Sequence, residues 1–168
     1  MDNIILIGFM GCGKTSVGIR LSYQLRRIFL DTDKLIEQGQ GRSVSRIFAE
    51  DGEAYFRALE TETIAGLREG RAPCIIATGG GLPVKPENRP LLRALGRVIY
   101  LKAMPETVYE RLRGDTERPL LQCADPLSRI RELMRERETA YADAADVTVF
   151  VDGKEIDMIV KEIEEKAG

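Results

Sequence analysis

Along this chain, short apolar runs alternate with longer stretches in which apolar side chains recur every three or four positions. The runs Ile4–Ile7, Ile28–Leu30, Cys74–Ala77, Val98–Leu101 and Val147–Val151 predict strands. Being apolar throughout rather than alternating, they read as strands buried on both faces. Helical patterning fills the gaps, at about 15–26, 33–38, 44–49, 53–68, 87–94, 105–112, 126–142 and 154–166. In the first of these, Val17, Leu21 and Leu25 fall at i, i+4 and i+8, one face of a helix. The alternation of strand and helix predicts an α/β fold: a parallel sheet covered by helices, with ligands gathered at the carboxyl ends of its strands. No repeat, low-complexity tract or linker run interrupts it, and 168 residues suit one domain, 1–168. Gly39-Gln40-Gly41 and the polar stretch Arg113 to Cys123 read as exposed loops, the second as a mobile lid over about 112–123.

The first strand runs into Gly8-Phe9-Met10-Gly11-Cys12-Gly13-Lys14-Thr15, which matches GxxxxGK[ST] in full and opens the first helix. Glycines at these places let successive backbone N–H groups turn inward around an anion, and the helix directs its positive end to the same point. Lys14 then reaches the β- and γ-phosphates of a nucleotide, and the Thr15 hydroxyl is placed to ligate Mg²⁺. Gly11, Cys12, Gly13 and Ser16 complete the expected ATP cradle. The strand before and the amphipathic helix after are the context the motif requires, and they weigh against a ligand-free glycine turn.

Composition narrows the chemistry. The net charge of −2 and pI near 5.4 speak against nucleic acid or an anionic membrane surface as partner. No apolar run reaches membrane-spanning length and Met1-Asp2-Asn3-Ile4 lacks a basic leader, so a cytoplasmic protein is expected. The three cysteines, Cys12, Cys74 and Cys123, are widely spaced and without CxxC, which indicates neither a disulfide framework nor a zinc site. Cys12, inside the glycine loop, reads as a small side chain or as a thiol whose pKa the helix terminus lowers. There is no histidine, so proton transfer falls to a carboxylate, a lysine or substrate oxygens.

Further candidates lie where the strands end. Asp31-Thr32-Asp33 closes the second strand with two carboxylates, which period-two alternation would point the same way. One is placed for Mg²⁺-bound water and the other for an acceptor hydroxyl; a helix cap before Lys34 explains only one of them. The third strand enters Gly79-Gly80-Gly81, more glycine than a turn needs, which lets backbone approach a ligand closely. No acidic residue ends that strand, which leaves Asp31 as the metal-side carboxylate. Arg57 has Glu53 at i−4 and Glu60 at i+3, a pattern equally suited to a surface ion-pair ladder. Arg137 continues the apolar line of Leu127, Ile130, Leu133 and Met134 toward Tyr141, so an inward guanidinium there needs a carboxylate, from the protein or from a substrate. Arg118, beside the rigid Pro119 in the presumptive lid, suits charge neutralisation on a transferring phosphoryl group.

With these motifs in this order, together with Phe56-Arg57-x-x-Glu60, Arg118-Pro119-Leu120-Leu121 and Arg137-x-x-x-Tyr141, the chain resembles the shikimate kinases over nearly its whole length. The resemblance implies a three-layer P-loop fold with a five-stranded parallel sheet in the order 2-3-1-4-5. It also implies transfer of the ATP γ-phosphoryl to the 3-hydroxyl of shikimate in aromatic amino acid biosynthesis, by a monomer. Carried over by motif, Asp33 would bind the shikimate hydroxyls, and Arg57 and Arg137 would clamp its carboxylate. Glu60 would orient Arg57, Gly79 to Gly81 would add backbone contacts, and the acceptor region would span about 33–61. Thr15 and Asp31 would serve Mg²⁺; Lys14 and Arg118 would stabilise transferring charge; Arg111 and the loop Asp152-Gly153-Lys154 would lie at the adenine. Cys12 stands where the family often has serine, and the short connection Arg26-Arg27 implies a first helix that ends early.

Rival readings lack a feature. A nucleotide-switch GTPase would carry NKxD at a strand end, where this chain has Leu101-Lys102-Ala103-Met104. A regulator without turnover would have lost one of Lys14, Asp33 or Arg118. Gluconate, which also bears a carboxylate, is the nearest rival acceptor.

Overall fold

A computed structural model describes residues 2–67, 71–114 and 123–167. Five strands, β1 (Asn3–Ile7), β2 (Phe29–Asp31), β3 (Ile75–Ala77), β4 (Gly96–Lys102) and β5 (Val147–Phe150), form one sheet in the order β2-β3-β1-β4-β5. Every pairing is parallel. β1 lies at the centre, with Ile5 beside Ile76 on one side and Val98 on the other. Its Ile5, Leu6 and Ile7 have no solvent exposure, as expected of a strand covered on both faces. The chain leaves β1 toward one side of the sheet and later continues at β4 on the other. The crevice outside the carboxyl end of β1 is thus the switch point where α/β sheets bind ligands.

Eight helices surround the sheet among the described residues: α1 (Lys14–Leu25), α2 (Thr32–Gln40), α3 (Val44–Asp51), α4 (Glu53–Gly66), α5 (Asn88–Leu95), α6 (Pro105–Leu112), α7 (Pro126–Ala144) and α8 (Ile156–Ala167). A 3-10 turn over Leu82–Val84, to which the sequence pattern assigns no element, follows the three glycines. α1 buries Val17, Gly18 and Leu21 against the sheet and stops at Leu25, where Arg26 turns left-handed at φ 53. α2, α3 and α4 enclose a small core of their own, Ile36, Ile47 and Phe56. Arg42 fastens this unit by pairing with Glu50 and Asp51.

Among the boundaries that differ from the sequence reading, two bear on the site and have a physical reason. β2 is shifted one residue, because Ile28 is largely exposed while Asp31 pairs with Ala77. α2 begins at once after it, because the Asp31 carboxylate accepts from the N–H groups of Asp33 and Lys34 and so caps the helix. Asp33 thus stands in the first turn of a helix rather than on an extended strand. Arg118 and most of the expected lid lie outside the described residues. Among those described, no helix is long and apolar enough to cross a membrane.

Candidate active site

The glycine loop leaves β1 and wraps the start of α1, with positive φ at Gly8, Gly11 and Gly13 of 148, 76 and 100 degrees. No side chain caps α1, and no acidic residue sits in its first turn. Its first N–H groups and dipole therefore present a positive end toward the sheet's carboxyl edge. Lys14 folds back over the loop, its Nζ donating to the carbonyls of Gly8 at 2.6 Å and Phe9 at 3.0 Å. Thr15 and Ser16 are exposed at the mouth. Cys12 is fully buried beneath the loop, its Sγ 3.8 Å from Lys14 Nζ, as a small packing side chain would be.

A cavity of about 450 Å³ opens beside the loop, lined by Lys14, Thr15, Asp31, Asp33, Arg57, Glu60, Gly79, Gly80, Gly81 and Arg137 among others. Residues from β2, α2, α4, the β3–α5 connection and α7 thus converge on one space. Burial, and next the charge of Asp31, pushes the Asp33 carboxyl above its ordinary value, while Lys14 and Arg57 pull it down. A Cβ on Gly79 would lie 2.6 Å from Asp33 Oδ1 and 3.1 Å from Glu60 Oε2, so a larger residue there would displace these carboxylates. On the opposite side of the same loop, a Cβ on Gly81 would overlap the Arg57 guanidinium.

The two arginines are held differently. Arg57 donates to Glu53, at 3.3 Å from Nη2, and to Glu60, at 2.6 Å from Nη1. The ion-pair ladder legible in the sequence therefore exists, and it aims Arg57 along the cavity wall. Burial works against the Arg57 charge, but the Glu60 hydrogen bond and charge outweigh it, and the pKa stays above its ordinary value. Glu60 itself is buried and pushed up by that burial, against the pull of Arg57. Its Oε2 has no hydrogen-bond partner among the described residues. Arg137 forms no ion pair with a carboxylate among the described residues; its guanidinium carbon lies 5.5 Å from the Phe9 ring centroid. Its side chain meets the Tyr141 hydroxyl and feels Glu60 only at longer range, which leaves a close carboxylate partner to a ligand. One turn on, burial pushes the Tyr141 phenol up to about 12.

A second cavity, of about 400 Å³, lies against the outer side of the glycine loop and is lined by Gly11, Cys12, Gly13, Ser16, Arg111 and Lys154 with apolar Val17, Ile156 and Ile159. Arg111 donates to the Gly11 carbonyl at 3.2 Å. Lys154 is turned toward Glu162 at 2.7 Å, and Asp152 accepts from Met104 N–H and the Thr107 hydroxyl, which fixes the loop. Of the residues expected at an adenine, Arg111 and Lys154 thus border one space, while Asp152 lines a different one beside Met104. With no histidine in the chain and no cluster of three metal-ligating side chains among the described residues, the oxygen donors beside the loop include the hydroxyls of Thr15 and Ser16 and the carboxylates of Asp31 and Asp33. That set suits a hard cation completed by phosphate oxygens and water rather than a metal held by protein alone.

Several lining residues escaped the sequence reading. Val44 and Phe48 reach the cavity from α3, and their i, i+4 spacing could have marked them. Thr32 is buried, and its hydroxyl accepts from Gly79 N–H at 3.0 Å; nothing local announces a contact 47 residues away in the chain.

Comparison with known proteins agrees with this geometry. A family model described as shikimate kinase matches residues 10–167. A shikimate kinase from Symbiobacterium thermophilum is 48% identical over 166 residues, covering 98% of this chain and 95% of the relative. A solved shikimate kinase from Acinetobacter baumannii in complex with shikimate superposes with a TM-score of 0.91 at 36% identity, covering 98% of this chain and 92% of that one. A gluconokinase from Sinorhizobium meliloti, at 16% identity and a TM-score of 0.56 over 99% of this chain and 91% of its own, shares the fold alone.

Proposed function

The chain belongs to the shikimate kinase family, and from that premise we propose that it transfers the γ-phosphoryl group of ATP to the 3-hydroxyl of shikimate, giving shikimate 3-phosphate and ADP for aromatic amino acid biosynthesis. The observation that carries this reading is the convergence of Asp33, Arg57 and Arg137 on one cavity with Lys14 of the phosphate loop. A neutral acceptor would have no use for Arg137, a half-buried cation that forms no ion pair among the described residues. A cyclic acid with several hydroxyls engages all three side chains.

In this reading, the loop amides of Gly11 to Ser16 and Lys14 hold the phosphates, with the nucleoside toward Arg111 and Lys154. Thr15 and Asp31 would hold Mg²⁺, which would supply charge neutralisation on the phosphate oxygens. Arg57 and Arg137 grip the acceptor carboxylate from two sides, and Gly79 to Gly81 bring backbone to the ring. Asp33 orients the attacking hydroxyl and accepts its proton. Since the transition state of phosphoryl transfer is loose, the residues act chiefly by positioning and electrostatics. Arg118, outside the described residues, is assigned no step. We further read residues 1–168 as one kinase domain with its acceptor region at about 33–61, a cytoplasmic monomer acting on small molecules without nucleic acid.

The test is ADP release with MgATP and a panel of shikimate, gluconate, nucleoside monophosphates and no acceptor. Shikimate-dependent turnover is expected, and in Arg137→Ala the KM for shikimate should rise on the order of tenfold or more as a charged hydrogen bond is lost. Turnover with gluconate alone would overturn the acceptor, and equal ADP release without acceptor would overturn the kinase.

A further inference from the structure

The three glycines after β3 pose an accounting question, because buried backbone groups must find partners. Their carbonyls are all taken. Gly79 O accepts from Leu82 N–H at 3.1 Å, Gly81 O accepts from Val84 N–H at 3.1 Å, and Gly80 O accepts from the Tyr141 hydroxyl at 2.6 Å. Gly79 N–H donates to Thr32. The N–H groups of Gly80 and Gly81 have no protein partner among the described residues, and both glycines line the main cavity.

Each N–H is aimed by its neighbour. A trans peptide is planar, so the C=O of one residue and the N–H of the next point in opposite directions. The 3-10 turn fixes the Gly79–Gly80 peptide through Leu82. The Gly80–Gly81 peptide is fixed by a side chain instead, Tyr141 of α7, one helical turn beyond Arg137. Tyr141 is in turn immobile: it is 1% exposed, and its ring packs on Tyr100 at 5.2 Å. The Tyr100 hydroxyl donates to Glu138 at 2.6 Å, and Glu138 also receives Lys102 at 2.7 Å.

We propose that Tyr141 is a positioning residue for the acceptor: by holding the Gly80 carbonyl toward α7 it turns the Gly81 N–H into the cavity as a fixed donor to an acceptor oxygen. α7 then contributes twice to the site, with a charge from Arg137 and with the backbone orientation set by Tyr141. A glycine triplet is free to rotate its peptides, and this phenol selects the orientation that the acceptor needs. The inference rests on the shikimate reading, and wild-type turnover with shikimate tests that reading separately.

The test is Tyr141→Phe, which removes one oxygen and keeps the ring; because that oxygen also meets the Arg137 side chain, the substitution is made in Arg137→Ala as well, where a further rise in the shikimate KM assigns the effect to Gly80 and no further rise overturns the proposal. With wild-type protein active on shikimate, the variant should show a KM for shikimate raised roughly three- to tenfold, as expected for one hydrogen bond, and a KM for MgATP within about twofold. Tyr100→Phe is the control, since it removes the neighbouring phenol's hydrogen bond to Glu138 without touching Gly80; it should lower Tm and leave the shikimate KM unchanged. Unchanged shikimate kinetics in Tyr141→Phe would overturn the proposal, as would parallel shifts of both KM values in the two variants. A measurement independent of variant stability follows the Gly81 amide resonance of the wild-type protein during a shikimate titration. A downfield shift is expected, and an unmoved resonance would overturn the assignment.

Discussion

Along the glycine loop the cavity wall is backbone: amides at the start of α1, with Lys14 laid over them and no acidic residue in the first turn. Across from it the wall is charged side chains drawn from α2, α4 and α7, with Asp33, Arg57, Glu60 and Arg137 crowded around three glycines. The first wall is local in sequence and depends on φ and on close packing. The second is assembled from distant segments and depends on carboxylates held above their ordinary pKa and on two cations, Arg57 paired with Glu53 and Glu60 and Arg137 in no ion pair among the described residues. Substitutions should therefore act on the two walls in different currencies, stability on the first and chemistry on the second.

Asp33→Asn gives the largest expected effect and separates those currencies. Turnover with shikimate should fall about 10²- to 10⁴-fold if Asp33 accepts the proton, with the shikimate KM little changed; loss of binding alone would make Asp33 a positioning group. The raised carboxyl also fixes the pH dependence. Because the ionised form is the acceptor of the proton, kcat/KM should fall on the acid side with an apparent pKa above 3.8, the ordinary value. Stability runs the other way. A carboxyl with a raised folded-state pKa favours the native state below its unfolded pKa and loses that contribution as pH rises through the folded one. Asp33→Asn should therefore have a Tm at neutral pH equal to or above wild type, with the difference closing in acid. A lower Tm at neutral pH would place Asp33 among the structural carboxylates.

The same contrast explains how much of the site was legible beforehand. A phosphate loop must be contiguous, so its glycines, Lys14 and Thr15 announce themselves in eight residues. Helical periodicity likewise carried Arg137 to an inward line, where it stands. Asp33 was legible as a residue but not in its placement. Strand alternation predicted an extended pair, whereas the Asp31 cap starts α2 at Thr32 and sets Asp33 within the first helical turn; local capping outweighed strand extension. Thr32 was beyond reach because its partner, Gly79, is met only once β2 and β3 are side by side. The Tyr141 contact with Gly80 spans 61 residues and is of the same kind.

Gly8→Ala probes the backbone wall. At φ 148 a side chain is strained, and its Cβ would lie 2.6 Å from Leu101 O and 2.8 Å from Cys12 Sγ. Neither neighbour has room to withdraw, since Leu101 and Cys12 are both fully buried. Overpacking of this kind costs about 1–3 kcal/mol, read as a lowered denaturation midpoint at unchanged slope. Because Gly8 O also receives Lys14 Nζ, the MgATP KM should rise while shikimate affinity, measured by calorimetry without nucleotide, stays near wild type. A variant as stable as wild type would show that the loop yields, and the contrast between the two walls would fail on its backbone side.

Cys12→Ser is the smallest expected effect and the sharpest limit on side chains in the loop. Cys12 has no exposure and contributes its backbone to the loop while its Sγ packs beneath Gly8. Serine keeps that backbone and is slightly smaller, and its hydroxyl can accept from Lys14 where the sulfur stands 3.8 Å away. The shorter reach and the new acceptor offset one another, so stability should change by less than about 1 kcal/mol and kcat by less than about twofold. A thiol this deeply buried should also react late. Under a cysteine-directed reagent the exposed Cys123 should be modified first and the buried Cys12 and Cys74 only on unfolding. Rapid modification of Cys12 with loss of turnover, prevented by MgATP, would make the thiol a reactive member of the loop. The wall now read as backbone alone would then include a side chain whose oxidation state matters.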